Sequence, residues 1–343
     1  MLRSTQRLDS HSYAWLVAVT TLHESSCLAA PTPLEIEQAA LRAVAYADVF
    51  GYPLQATEIH RYLHGVAASP DATSAALARC STPRGSLSSR NGYYTLRGRE
   101  GLVEVRRRRA ALADQLWPAA VTYGHLIASF PFVRMVAVTG SLAWHNIDDS
   151  PTRDHPPDID YMIVTEPGRL WLCRWVIGAL RHVLRLRRVF ICPNYIISTR
   201  ALALADRNLF TAYELARMTP IAGLSMHRRL RRANPWVQAY LPNAGEAPRL
   251  TDGAARFRPG RRNAVAARLT RLARQMLGSP LGAPFERLEM TYRIRKLVKL
   301  GNGGGEVEYG VDCYKGFTRG HAQESLAAFA ARLRDLQAGA RWL

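Results

Sequence analysis

The chain has 343 residues, 48% of them hydrophobic and 9% aromatic, which is ample for packed cores, suits two or three domains and excludes global disorder. Its formal charge of +19 comes from 46 basic and 27 acidic residues; only Lys296, Lys299 and Lys315 are lysines, so the excess is arginine, scattered along the chain instead of massed in one block. That fits phosphate recognition and fits the codon bias of a GC-rich genome equally well. The greasiest stretch, Leu170 to Leu186, is broken by Arg174, Arg181, His182 and Arg185, which argues against a membrane span. Five scattered cysteines without C-x-x-C spacing point away from a disulfide framework or a zinc site and toward a reducing, cytoplasmic compartment.

Residues 1–32 hold Arg3, Arg7, an apolar run Tyr13 to Leu22 and Cys27, a blurred imitation of a signal peptide, and read as a flexible extension that adds little to the fold. From Leu34 to Phe50 the apolar positions follow a helical stripe, with Thr32 as cap and Pro33 in the first turn. Gly51-Tyr-Pro53 stops it. A second helix starts at Thr57 and a third covers Ser74 to Cys80. A polar loop, Ser81 to Gly92, then leads to a strand at Tyr93 to Leu96. Three short helices and a strand over 33–101 resemble a winged helix. The module either binds DNA, with Arg84, Arg90 and Arg97 near phosphates, or serves interaction or dimerisation, and its Ala-rich third helix carries almost no base-reading side chains.

Glu100 to Ser129 reads as a helix that Pro118 should kink or split; its run Arg106 to Arg109 reads as a solvated face. Val133 to Val138 is a β-branched strand ending in the tight turn Thr139-Gly140-Ser141, followed by one or two helical turns to Ile147. Such a turn offers backbone N–H groups and the Ser141 hydroxyl to an anion, with Gly140 allowing close approach. Asp158-Ile-Asp160 opens the next strand, to Thr165, and period-two alternation puts both carboxylates on one face. Beside a phosphate-binding turn they form a seat for Mg²⁺, a hard ion that takes one or two carboxylates and completes its shell with water and phosphates. A long helix, Gly168 to Arg188, and a strand, Val189 to Ser198, follow.

The hydrophobic-Gly140-Ser141 turn followed by Asp158-Ile-Asp160 resembles the signature of the DNA polymerase β-like nucleotidyltransferase superfamily, over residues 102–225. The resemblance implies an α+β fold with a mixed sheet. It also implies nucleotide binding by Gly140 and Ser141, and catalytic, metal-binding roles for Asp158 and Asp160 with Mg²⁺ or Mn²⁺. Two departures stand out. The 16 residues between Ser141 and Asp158 make a long loop, in which Asp148, Asp149, Asp154 and His155 look like an inserted turn. The third carboxylate of fully equipped members is expected on the strand after the long helix, where Asn194 is the polar candidate. Glu214, on a helix from Asp206 to Met218, either substitutes for it or makes a surface pair with Arg217. Over most of its length the chain also resembles a bacterial group of nucleotidyltransferase class without an assigned substrate.

Asn234-Pro-Trp236 and Pro242 to Gly260 read as a linker within 226–260, and 261–343 as a mostly helical region. Helices are expected over Arg261 to Leu277, Pro284 to Leu300 and a final stretch to Leu336, with a short strand at Glu306 to Val311. Their basic residues, and Lys315, either hold phosphates of an RNA or small acceptor or are solvated backs of helices that cover the catalytic domain. The expected activity is Mg²⁺-dependent transfer of a nucleoside monophosphate from an NTP to a hydroxyl of a small molecule, RNA or protein, with release of pyrophosphate. The rivals are a catalytically silent nucleotide-sensing or DNA-binding regulator and a scaffold for a partner protein.

Overall fold

A computed structural model describes residues 30–150, 156–245, 282–299, 306–317 and 320–340. Almost all of the N-terminal extension, the loop residues Asp154 and His155, most of the Pro242 to Gly260 stretch and the helix expected at Arg261 to Leu277 lie outside the described residues. The chain is a mixed α+β protein.

Helix α1 (Pro33–Val49) begins with a capping box in which the Thr32 amide donates to Glu35 Oε2 at 2.8 Å and the Glu35 amide to Thr32 Oγ1 at 3.3 Å, satisfying two otherwise orphaned donors. Strand β1 (Leu54–Gln55), helix α2 (Ala56–Arg61), helix α3 (Pro70–Cys80) and strands β2 (Leu87–Arg90) and β3 (Tyr93–Leu96) follow, and the strands form an antiparallel sheet in the order β1-β3-β2. Strand β2 lies within the stretch read as loop. The hairpin turns on Asn91 and Gly92, at φ 53° and 79°, the left-handed pair that an Asn-Gly turn supplies. Arg97 does not reach outward for phosphate: its guanidinium donates to the carbonyls of Thr82 and Gly85, both at 2.6 Å, and of Leu87 at 3.2 Å, tying the hairpin to the loop before it.

Helix α4 (Leu102–Ala128) runs unbroken through Pro118. Proline removes one backbone bond, but Trp117, Ala120 and Val121 on either side of it are buried, and their packing outweighs that loss. The arginine run is solvated only in part: Arg107 and Arg108 are exposed, Arg109 is half-buried and Arg106 turns inward. Arg106 is buried, donates to Pro53 O at 3.0 Å and Glu58 Oε1 at 3.2 Å, and lies 3.6 Å from the Tyr52 ring centroid. Arg108 and Arg109 both hold Asp149, at 3.0 Å each. Arg106, Arg108 and Arg109 therefore clamp the segment around Pro53 and Glu58 and the loop after Ser141 to α4. The aspartates of that loop draw the guanidiniums, which local helix periodicity alone does not reveal.

Strands β4 (Val133–Val138), β5 (Ile159–Thr165), β6 (Ile191–Ser198), β7 (Thr219–Ala222), β8 (Glu306–Tyr309) and β9 (Cys313–Phe317) form one mixed sheet in the order β7-β4-β5-β6-β9-β8. Only β5 and β6 are parallel, joined through helix α6 (Leu170–Leu186); every other pair is antiparallel. Alternation divides the sheet's side chains between two cores. Val136, Val138, Tyr161, Ile163 and Ile196 pack with α4 and α6. Met135, Ala137, Met162, Val164 and Ile197 pack with α1, helix α7 (Leu209–Arg217) and helix α8 (Leu224–Arg232). Strand β7 and helix α8 occupy sequence not assigned to any element by periodicity; β7 is an edge strand, where Pro220 is tolerated.

After α9 (Val237–Tyr240), helix α10 (Gly282–Lys299) packs on α6, and its Glu286 receives the Trp171 and Leu172 amides at 2.8 and 2.7 Å. A carboxylate at a helix N-terminus satisfies orphan donors and complements the dipole. Asn234, in the stretch read as linker, is buried and bonds Leu202 O, Leu204 N and Leu230 O at 2.7–2.8 Å, so this turn is packed. The β8–β9 hairpin extends the central sheet, with Lys315 paired to Asp206 and buried; the final helix α11 (His321–Ala340) lies on α1 and α7. Among the described residues no helix is long and apolar enough to cross a membrane.

Candidate functional site

The turn from β4 into the one-turn helix α5 (Gly140–Ala143) sits at the end of the sheet beside the start of β5. Two constraints fix glycine at 140. Its φ is +62°, where a side chain is strained, and an added Cβ would lie 2.2 Å from Asp160 Oδ2. The turn is stitched to β5 by the Thr139 amide, which donates to Asp160 O at 3.0 Å. Ser141 is exposed. The Gly140 amide, however, does not face outward: it points at Glu214 Oε2, 3.4 Å away.

Asp158 immediately precedes β5 and Asp160 lies within it, and a ligand oxygen of each, together with the Cys192 sulfur of β6, lies within 4.8 Å of the other two. The alternation read from the sequence thus does bring the two carboxylates together. Cys192 carries no signal in the sequence, because no C-x-x-C spacing marks it as a ligand. The parallel register of β5 and β6 sets it opposite Asp160, a relation between two strands that one-dimensional spacing does not carry.

Asn194, the candidate for the third position, donates from Nδ2 to Asp160 Oδ1 at 3.0 Å, while its own Oδ1 is buried and has no partner. Glu214 does not form the surface pair with Arg217. It is brought behind the glycine turn, accepting from Gly140 N and from the Trp144 side chain. Arg217 is only 4% exposed and lies 3.5 Å from the Trp144 ring centroid, with the Tyr62 and Tyr52 rings at 4.3 and 5.0 Å. The reason is burial: helix α7 presents both residues to the interior, where aromatic faces receive the guanidinium.

The electrostatics follow from this crowding. Burial, then the charges of Asp158 and Glu214, push the Asp160 carboxyl well above the usual carboxylate range. Burial also raises Asp158, against the pull of Arg181, and raises Glu214 against its hydrogen bonds and Arg217. Among the described ion pairs none involves these three carboxylates. Asp160 is hemmed in by Glu214 and by Asp158, the more exposed of the two aspartates, and like charges this close are relieved by a cation. The aspartate oxygens and the orphaned Asn194 Oδ1 suit a hard divalent ion such as Mg²⁺ or Mn²⁺. Next to them Thr139, Asn194, Glu214 and Lys315 border a cleft of about 40 Å³.

No family model matches the chain, and neither the curated proteins nor the solved structures contain a match to it.

Proposed function

We propose that the chain is a divalent-cation-dependent nucleotidyltransferase that moves a nucleoside monophosphate from an NTP to an acceptor hydroxyl. The observation that carries this reading is the convergence of Asp158, Asp160 and Glu214 on a turn where Gly140 alone fits. Asp158 and Asp160 would hold Mg²⁺ or Mn²⁺, which when bound supplies charge neutralisation at the phosphates. Ser141, exposed beside them, would bind the phosphates through its hydroxyl and amide. Asn194 fixes the Asp160 carboxylate, and Glu214 fixes the turn. The acceptor oxygen bonds to the α-phosphorus as the bond to the departing pyrophosphate breaks, and the acceptor proton passes to solvent or to a carboxylate of the cluster. Catalysis on this reading is positioning and electrostatic. The acceptor is a small molecule, RNA or protein; the N-terminal module offers DNA a docking surface through Arg84 and Arg90, and a cytoplasmic setting fits the free cysteines.

A second reading, a catalytically silent nucleotide sensor, draws on two contacts. An amide, Asn194, replaces the third carboxylate, and the Gly140 N–H is committed to Glu214. Pyrophosphate release from NTPs with Mg²⁺ and mixed acceptors, in wild type and in Asp158→Asn plus Asp160→Asn, separates the two. Release that vanishes in the double variant is the expected result. NTP binding without release favours the sensor, and absence of both overturns the assignment.

A further inference from the structure

We infer that the Asp158–Asp160 site takes Cys192 as a third ligand and prefers a thiophilic divalent cation of the Zn²⁺, Co²⁺ or Cd²⁺ kind over Mg²⁺. The inference deepens the proposed function by adding a third ligand to its cation site, and it rests on the same aspartate pair but not on nucleotidyl transfer.

Three ligand atoms from two adjacent strands, two carboxylate oxygens and one sulfur, lie within 4.8 Å of one another. Metal–sulfur and metal–oxygen bonds of about 2.0–2.3 Å separate the ligands of a tetrahedral ion by roughly 3.5 Å, so modest side-chain rotations contract this set onto one ion. The Cys192 thiol already donates to the Asp160 carboxylate, so the sulfur faces the pair and does not turn into the core. Two further polar groups in the same wall lack partners. Asn194 Oδ1 is buried and unbonded, and so is Oγ1 of Thr139, a residue only 5% exposed. Asn194 lies against the site through its Nδ2, which donates to Asp160 Oδ1 at 3.0 Å. A hard ion gains little from sulfur, which it binds weakly; a borderline or soft ion gains a strong bond. On binding, the thiol proton is released to solvent and the sulfur coordinates as thiolate, so that sulfur and the two carboxylates share one cation.

The test uses the full-length, metal-free protein titrated with Cd²⁺ and Co²⁺, read by the sulfur-to-metal charge-transfer absorption. Wild type is expected to give a band that saturates at one equivalent. Cys192→Ser should lose that band and bind Cd²⁺ weaker by about 100-fold, and Asp158→Asn plus Asp160→Asn should lose it too. A wild type without the band, or a Cys192→Ser protein that keeps it, overturns the inference. Should the Cys192 variants fold poorly, alkylation of wild type with iodoacetamide decides, located by mass spectrometry: Cd²⁺ must protect Cys192, and equal labelling with and without the ion overturns the inference. Because these readouts need no nucleotide, a protein that binds Cd²⁺ through Cys192 yet releases no pyrophosphate separates failure of the proposed activity from failure of the metal assignment.

Discussion

At Gly140 two independent constraints meet, a left-handed backbone and a neighbouring carboxylate that leaves no room for a Cβ. Gly140→Ala is expected to cost about 1–2 kcal/mol from the backbone alone and to push Asp160 off Asn194, abolishing Mg²⁺-dependent NTP binding. Urea unfolding and calorimetric titration measure the two effects, and a variant that binds NTP normally removes the turn from the site. Asn194→Asp asks the opposite question. A fourth acid in this corner lowers the stability of the metal-free protein by about 1–3 kcal/mol, because it deletes the amide donor that Asp160 Oδ1 uses and adds like charge. The same charge raises Mg²⁺ affinity by roughly tenfold. Melting curves with and without Mg²⁺ read both; a variant less stable in either condition, with no gain from Mg²⁺, contradicts the cation site.

Helix α7 links two regions. Tyr213, stacked 4.2 Å from Tyr46 of α1, bonds His64, while Glu214 reaches the glycine turn and Arg217 sits among Trp144, Tyr52 and Tyr62. The N-terminal module and the candidate site therefore grip the same helix from two sides. Arg217→Met keeps most of the volume but removes a desolvated cation from the aromatic faces and from the vicinity of Glu58, and is expected to cost about 2–4 kcal/mol. A shift in the urea midpoint equivalent to less than about 0.5 kcal/mol, the range of an unremarkable surface change, would show that the guanidinium is not held there. Helix α4 makes the second link, through Arg106 to Pro53 and Glu58 and through Arg109 to Asp149 and Phe50.

Over the whole molecule, pH acts through two sets of buried groups with opposite signs. His64 and His227 are pushed down to about 3 and about 4 from 6.5, chiefly by burial. Folding excludes their protons, so stability is lost as pH falls below 6.5, where only the unfolded chain takes them up. At about pH 5 the His64 contribution is about 2 kcal/mol, and His64→Gln should recover most of it in acid urea titrations; an unchanged slope contradicts a neutral, buried His64. Asp158, Asp160 and Glu214 are raised, so the folded state binds their protons more tightly. For them stability is lost as pH rises above the unfolded values of 3.8 and 4.5. A bound cation cancels that loss. The melting-temperature gain from Mg²⁺ should thus grow with pH over this range, and a gain independent of pH would place the ion elsewhere.

Local pattern fixed much of this protein in advance. The helical stripe from Leu34, the β-branched run Val133 to Val138, the alternation at Asp158 and Asp160 and the amphipathic α6 all depend on neighbours in sequence, and the elements form where those patterns lie. Both strands of the β2–β3 hairpin obey the same local chemistry, although only the second is legible in the sequence, since Ser88 and Ser89 carry no apolar alternation. What tertiary structure alone decided are relations between distant segments. Pairing of β9 with β6 buried Lys315 against Asp206, and the register of β5 with β6 set Cys192 beside Asp160. Packing turned Glu214 and Arg217 inward and drew the arginine run of α4 onto Asp149 and Glu58. Charges on a helix look solvated in one dimension because sequence gives their periodicity but not their partners. Whether a guanidinium or carboxylate is buried depends on which aromatic face or counter-charge the remaining chain brings to it, and that is settled only when the sheet and its helices close around the site.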